Sequence, residues 1–440
     1  MKLKDIALGT LVNISRFAVA ATFIFSGYVK AIDPQGTQYK IQDYLEALHI
    51  TGYMPDYATL GTAVLLGSIE FCMGIFLLFA VHRHLVSRLI LIFMGIMTPL
   101  TLWLAIDNPI KDCGCFGDAL LLTNWQTFYK NIILLAGAAL LCKKPLLMHR
   151  FISKTNQWIV VIYTMLFILV SSTVSMYTLP QFDFRPYHIG VNIKDGMTIP
   201  KGAKEPKFET TFILEKNGTR KEFTLDNYPD STWTFIDSKT VQTEEGYVPP
   251  IHDFSIQTID TGEDITDSVI SQKGYVFLFI SPHLEVADDS NFGDIDRIYE
   301  YCQEKHYPFY ALTASTEKGI QHWRDITGAE YNFYITDETT LKTIIRSNPG
   351  LLLLKDGTII GKWGHNTLPD LTEESPALEK TPYGHITEKS ITQKISEIIL
   401  WYLLPLLIIS LLDRIWHFSL WIRRNNILTR YINFLKQKRK

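Results

Sequence analysis

The sequence predicts an α-helical membrane bundle joined to an α/β domain outside the membrane. Long apolar runs fill residues 1–180, whereas residues 250–370 alternate between strand and helix patterns. A membrane helix needs about 20 mostly apolar residues. Six segments approach that length: residues 9–31, 58–80, 86–106, 127–142, 157–179 and 397–412.

The composition narrows the class of protein. At 440 residues the chain is long enough for two or three domains, and its net charge of -3 gives no reason to expect a nucleic-acid partner. Five cysteines do not make a disulfide scaffold, and the odd number leaves at least one free thiol unless chains pair. The first apolar run is too long for a signal peptide, so we interpret it as a membrane helix.

The positions of Lys and Arg predict the orientation. If all six segments span, every basic cluster falls on one side, which we assign to the cytoplasm together with both termini. The loops 32–57 and 107–126 and the region 180–395 then face outward, and residues 39–48 suit a helix lying on the membrane surface. We therefore predict a multi-pass protein of a bacterial inner (cytoplasmic) membrane with a large periplasmic domain.

The outer region divides into two parts. Residues 181–248 are β-rich, with a predicted hairpin turn at Asn217-Gly218. From residue 249 the pattern becomes α/β, with a buried central strand over 275–281 and a hairpin turn at Asp356-Gly357. The last 22 residues, 419–440, form a basic amphipathic tail suited to anionic lipids.

The polar loop Lys111–Asp118 is the best candidate for chemistry, because it holds Cys113 and Cys115 with only Gly114 between them. A disulfide in so small a ring is strained and more reducible, which favours an exchange-active pair. A permanent bridge or simple packing is the alternative. Metal binding is a third interpretation, but no nearby His or Cys completes a ligand set. Lys111 favours a thiolate, whereas Asp118 opposes it.

Glu70 lies near the middle of the second membrane helix, where an ionisable group is costly and needs a partner. We expect that partner to be Arg16 at a similar depth in the first helix. The pair would organise the bundle or line a cavity for a quinone headgroup.

Two family resemblances follow from these residues. The first is carried by a set of residues in the four-helix core: Arg16, Ser26-Gly27, the run Lys30–Pro34, Glu70 and the run Asp112–Asp118. In these positions the sequence resembles the DoxX family, most closely its MauE branch. This resemblance implies a four-helix membrane domain over residues 1–145 and a redox-associated protein that supports disulfide chemistry or the maturation of exported proteins.

The second resemblance covers residues 249–370. It is carried by the entry at Pro249-Pro250, by the strand ending at Ser281-Pro282 and by Asn348-Pro349-Gly350. In these features the region resembles a thioredoxin-like domain, with Pro349 at the cis-proline position. The Cys-x-x-Cys pair of that family is missing after residue 281, so we treat the domain as degenerate and assign it no redox activity. The predicted membrane segments that flank the outer region are 157–179 and 397–418, the second being the run 397–412 extended to include Trp416 and Phe418.

Together these features predict a thiol–disulfide redox component that uses Cys113 and Cys115. It is a candidate component of a thiol–disulfide oxidoreductase. Glu70, Arg16, Lys111 and Asp118 would support the pair, and a quinone is a candidate cofactor. Its partners would be membrane lipids and either an exported protein or a separate thioredoxin-like protein. The alternative is a non-enzymatic envelope scaffold whose outer domain binds a partner and whose Cys-Gly-Cys loop is structural.

Overall fold

The structure is a computed structural model of the chain. It describes residues 3–50, 54–110, 112–200, 202–204, 207–216, 219–224, 234–244, 246–424 and 437–438. The predicted turn at Asn217-Gly218, Lys111 and most of the predicted amphipathic tail lie outside the described residues.

The membrane part is a bundle of long helices. Five helical segments are long and apolar enough to cross a membrane, in agreement with five of the six predicted spans. The helices of this part are α1 (Leu3–Ile32), α2 (Pro34–Ala47), α3 (Asp56–Phe79), α4 (Arg83–Asp107), α5 (Asn124–Lys143) and α6 (Gln157–Tyr177). The last span, Ile391–Arg423, begins beyond the outer domain and contains a π-helical turn at Ile399–Leu403.

Helix α5 corresponds to the remaining predicted span and is less apolar than the other five. It nevertheless runs the height of the bundle. At its start the Asn124 amide donates to the carbonyl of Ile110 (2.8 Å), beside the cysteine loop. At its end the chain turns into residues 144–148, where Arg83 donates to the carbonyl of Met148 (3.0 Å).

Helices α1 and α3 are antiparallel and touch through glycines. A Cβ on Gly27 would lie 2.2 Å from the Phe71 backbone nitrogen, and one on Gly74 would lie 2.7 Å from the nitrogen of Ile24. A Cβ on Gly67 would lie 2.9 Å from the nitrogen of Ala31. Small residues of this kind allow membrane helices to gain dispersion contacts that lipid does not offer.

Basic groups gather at one end of the bundle. Arg16 donates to the carbonyl of His149 (2.5 Å), and Arg414 donates to the carbonyl of Phe151 (3.2 Å). Asp413 fixes the last span at the same end by accepting the Ser153 N–H (2.7 Å). The cysteine loop and the outer domain lie at the opposite end.

The outer region contains two sheets. A three-stranded antiparallel sheet has the order β2-β1-β3 and is formed by β1 (Lys207–Lys216), β2 (Thr219–Thr224) and β3 (Thr234–Glu244). It follows the short helix α7 (Ile193–Met197).

The second sheet has six strands in the order β4-β7-β6-β5-β8-β9. Its strands are β4 (Gln257–Thr258), β5 (Tyr275–Ser281), β6 (Phe309–Thr313), β7 (Phe333–Ile335), β8 (Gly350–Lys355) and β9 (Thr358–Gly364). Strand β5 is central and pairs in parallel with β6 and antiparallel with β8. The helices between the strands are α8 (Thr266–Ile270), α9 (Phe292–Lys305), α10 (Glu317–Thr327) and α11 (Glu338–Ile344).

Strand β5 is buried throughout, as its apolar sequence predicts for a strand covered on both faces. Phe277 and Phe279 pack into one apolar cluster, whereas Leu278 and Ile280 pack into the other. The sheet is therefore the middle layer of the outer domain. The Asn348–Pro349 peptide bond that precedes β8 is cis.

A buried ionic cluster fastens the segment after α6 to this sheet. Asp183 accepts from Arg185 Nε and Lys362 Nζ, each at 2.7 Å. Although burial acts in the opposite direction, the two cations hold the pKa of Asp183 well below its usual range. Burial lowers the pKa of Lys362 to about 8. The outer domain is thus joined to the bundle by an anchored connection.

We expect Gly27→Ala to destabilise the bundle by about 1–3 kcal/mol, because the added methyl group overpacks the contact with α3. The measurement is thermal unfolding of the full-length protein in lipid nanodiscs. Gly9→Ala is the matched control on the same helix, since a Cβ there meets no atom within 4 Å. Equal melting temperatures for the two variants would contradict the close contact.

Candidate functional site

The site is built around the two cysteines of the predicted loop. Cys113 Sγ and Cys115 Sγ lie 2.7 Å apart, and both are free thiols in this structure. Gly114 between them has a φ of +65°, a conformation that side chains other than glycine rarely adopt. Cys113 is buried and Cys115 is partly exposed. The backbone thus turns back on itself and brings both thiols together.

Three contacts from neighbouring segments and one within the loop hold it in place. The Tyr44 hydroxyl on α2 donates to the carbonyl of Cys113 (3.0 Å), and the Ser26 hydroxyl on α1 donates to the carbonyl of Cys115 (2.5 Å). Asp112 accepts from Lys40 Nζ on α2 (3.1 Å) and from the Gly114 N–H (2.9 Å). Helix α2, which is predicted to lie on the membrane surface, packs over the cysteine loop.

The surroundings shift the pKa values of the two thiols in opposite directions. The hydrogen bond from Cys113 lowers the pKa of Cys115 to about 6, against the effect of burial, and the ammonium groups of Lys130 and Lys30 lower it further. The same hydrogen bond and burial raise the pKa of Cys113. These surroundings therefore favour the thiolate at Cys115 and the protonated thiol at Cys113.

The partner of Glu70 is Lys30, and the expected pair with Arg16 is wrong. Lys30 Nζ lies 2.7 Å from Glu70 Oε2, and both side chains are buried. Lys30 Nζ also donates to Ser26 Oγ (2.8 Å), which in turn donates to the carbonyl of Cys115. The ion pair is therefore connected to the cysteine loop through one hydroxyl group.

Arg16 lies fully buried at the other end of the bundle. It donates to the carbonyls of His149 (2.5 Å) and Leu78 (2.8 Å), and its guanidinium lies 4.7 Å from the centre of the Phe151 ring. It satisfies carbonyls near the end of α3 and ties them to the loop after α5. Its contacts are structural and distant from the cysteines.

A small cavity of about 20 Å³ lies behind Cys115 within the bundle. It has room for one water molecule. A benzene-sized ligand needs a cavity on the order of 150 Å³, so this space does not fit a quinone ring. The residues that give it polar or ionic character are Ser26, Lys30, Glu70, Cys115, Lys130 and Asn131.

Asp118 takes part in a contact between the loop and the outer domain. Arg346, which follows α11, lies 3.1 Å from Asp118 Oδ2 and 3.1 Å from both carboxylate oxygens of Asp33, at the junction of α1 and α2. Its guanidinium also lies 5.3 Å from the centre of the Tyr39 ring. Burial raises the pKa of Asp118, although Arg346 acts against this. Arg346 thus joins the cysteine loop to the outer domain.

The other three cysteines lie outside the loop. Cys72 and Cys302 are buried, and Cys142 lies at the opposite end of α5 from the loop. Within the described part of the chain, no group of three His, Cys, Asp or Glu side chains is arranged to hold a metal ion.

Comparison with known proteins bears on the bundle. Residues 8–144 match the family model described as Methylamine utilisation protein MauE. Residues 208–245 match one described as Domain of unknown function (DUF8463). No curated protein and no solved structure matches the chain. The match and the apolar helices support a MauE-like membrane protein, in line with the resemblance carried by residues 1–145.

The sequence alone did not predict the contacts that Lys30, Tyr44 and Arg346 make at this site. Lys30 was noted as part of a motif but not as the partner of Glu70. Tyr44 and Arg346 carried no signal, because neither is close to the cysteines along the chain. A buried lysine near the end of a membrane helix was the one usable clue.

We expect alkylation of Cys115 to have its midpoint near pH 6, because the thiolate is the reactive form. The measurement is the iodoacetamide rate on the reduced full-length protein between pH 5 and pH 9, with the modified cysteine located by mass spectrometry. Cys113 in the same peptide is the internal control and should react slowly. A Cys115 midpoint above pH 8, that of an ordinary thiol, would contradict the assignment.

We expect Arg346→Gln to loosen the cysteine loop, because the substitution leaves Asp33 and Asp118 without their buried cation. Hydrogen exchange of residues 112–119 in nanodiscs should become at least about tenfold faster. Arg297→Gln is the control, since Arg297 makes an exposed pair with Asp294 on α9. Unchanged protection of the loop would show that the outer domain does not hold it.

Proposed function

We propose that this protein is a membrane-bound thiol–disulfide exchange component that acts on exported proteins through Cys113 and Cys115. The observation that supports it best is the distance of 2.7 Å between Cys113 Sγ and the partly exposed Cys115 Sγ, in surroundings that lower the pKa of Cys115 and raise that of Cys113. An attacking thiolate beside a second thiol that can resolve the intermediate is what such exchange requires. The MauE-like character of residues 8–144 is consistent with this role.

The orientation follows from the end of the bundle where basic groups gather. Arg16, Arg83, Arg150 and Arg414 lie at or near that end, and cytoplasmic loops carry the excess of Lys and Arg. We therefore assign that end and both termini to the cytoplasm of a bacterium. The cysteine loop and the outer domain then face the periplasm, where disulfides persist.

The proposed exchange proceeds in two steps. The Cys115 thiolate attacks a disulfide of the partner protein, forming a mixed disulfide and releasing one partner thiolate. The Cys113 thiol then loses its proton to water and attacks Cys115 Sγ, so that the Cys113–Cys115 disulfide forms and the second partner thiolate leaves. Two electrons pass to the partner, and a second dithiol protein must return them to the pair.

The outer domain would recruit the partner rather than react with it. Cys302, its only cysteine among the described residues, is buried on α9, and burial raises its pKa to a value unsuited to attack. The mixed sheet with β5 in its centre is compatible with a thioredoxin-like domain that lacks its dithiol. The contact of Arg346 with Asp118 places this domain beside the cysteine loop.

We expect Cys113→Ser to accumulate a mixed disulfide with a periplasmic protein, because the attacking thiolate stays and the resolving thiol is gone. Non-reducing gels of native membranes, after acid trapping of thiols, should show at least about ten times more adduct than Cys115→Ser. Cys142→Ser is the control, because Cys142 lies at the other end of the bundle. Mass-tagged maleimide would report the redox state of the pair.

The scaffold hypothesis makes the opposite prediction. It requires that the Cys113–Cys115 pair of the parent protein stays in one redox state and that neither serine variant captures a partner through a mixed disulfide. A partner complex that forms equally well in both serine variants would support that alternative and contradict exchange.

A further inference from the structure

The cavity behind Cys115 contains more positive than negative charge. Lys30 and Lys130 both line it, and Glu70 is its carboxylate. Glu70 lies 2.7 Å from Lys30, so these two charges balance each other. Among the described residues, no carboxylate lies within ion-pair distance of Lys130. Within the described part of the chain, Lys130 is therefore the cation of this cavity that has no carboxylate partner.

Lys130 is directed at the cysteine loop rather than away from it. Its Nζ lies 4.3 Å from the centre of the Phe116 ring, and Phe116 is the residue directly after Cys115. The Phe116 ring is itself held by Phe25 of α1, with ring centres 5.4 Å apart. A lysine two turns into α5 is thus fixed against the segment that carries the reactive thiol.

We propose that Lys130, with Lys30 behind it, forms a thiolate-stabilising pocket and is a positioning residue for the exchange at Cys115. The inference deepens the proposed function and rests on it. A thiolate at Cys115 supplies the negative charge that the cavity lacks, and ionisation releases its proton to water at the partly exposed thiol. Nearby cations are a general means of activating a cysteine.

The neighbouring elements add several ionisable or charged groups. Glu70 opposes the thiolate, whereas Lys30 favours it. Tyr44 on α2 donates to the carbonyl of Cys113 and lies beside the second thiol. Among the described residues, the groups that face the pair are Lys30 on α1, Lys40 and Tyr44 on α2, Glu70 on α3, Lys130 on α5 and Asp112 in the loop itself.

The test is the pH profile of Cys115 alkylation in the full-length, reduced protein in nanodiscs. We expect Lys130→Met to move the midpoint upward by about one pH unit, so that the rate below pH 6 falls about tenfold. Lys130→Arg should restore the parent profile, because it keeps the charge. Lys143→Met, on the same helix at the other end of the bundle, is the matched control and should change nothing.

The variant Glu70→Gln distinguishes an electrostatic effect on Cys115 from a purely structural role of the buried ion pair. If the pocket acts through its charge, this variant leaves the midpoint unchanged or lowers it, because it removes the anion. If the buried pair only holds the helices together, Glu70→Gln and Lys130→Met raise the midpoint alike, which overturns the proposal. The double variant Lys30→Gln with Glu70→Gln avoids an unpaired buried charge and should raise the midpoint by less than Lys130→Met.

The experiment distinguishes the failure of this inference from the failure of the proposed function. Alkylation reports ionisation of Cys115 and needs no partner protein. A parent-like profile for Lys130→Met, together with a trapped mixed disulfide in Cys113→Ser, overturns the pocket and leaves the exchange function intact. A shifted profile without any trapped partner supports the pocket and contradicts the exchange function.

Discussion

Helices α1 and α3 approach so closely at Gly27, Gly67 and Gly74 that backbone meets backbone, and this contact sets the position of the Lys30–Glu70 pair. A buried pair offsets its desolvation only when its geometry is good and its remaining donors are satisfied. Ser26 accepts from Lys30 and passes the connection to the carbonyl of Cys115. The placement of the thiols thus depends on how tightly two membrane helices pack.

The same arrangement explains which parts of the structure could be predicted from the sequence. Local patterns were sufficient for the long apolar helices and for β5, because hydrophobic periodicity and length act within one segment. They were also sufficient to single out the Cys-Gly-Cys loop. The partner of Glu70 was not predictable in this way, because it depends on how far α3 is shifted along α1.

That shift is visible in the glycine contacts. Gly67 meets Ala31, and Gly74 meets Ile24, so Glu70 lies level with residue 28, near the outer end of α1, and Arg16 lies about 18 Å further along the axis. Matching residues by their distance from the middle of each apolar run gave the wrong partner. The role of Arg346 was hidden for a similar reason, since 228 residues separate it from Asp118.

The arrangement of charge around the loop gives the two sides of the loop different roles. Inside the bundle, Lys30 and Lys130 favour negative charge on Cys115. On the outer side, Arg346 engages Asp118 and Asp33 and so leaves the sulfur atoms out of its ion pairs. In the proposed function, the cations behind Cys115 tune its reactivity, while Arg346 in front attaches the domain that would bring the partner. Gly114 and Gly117, each with positive φ, give this short loop the tight turns that bring its two thiols together while Asp118 stays free to contact Arg346.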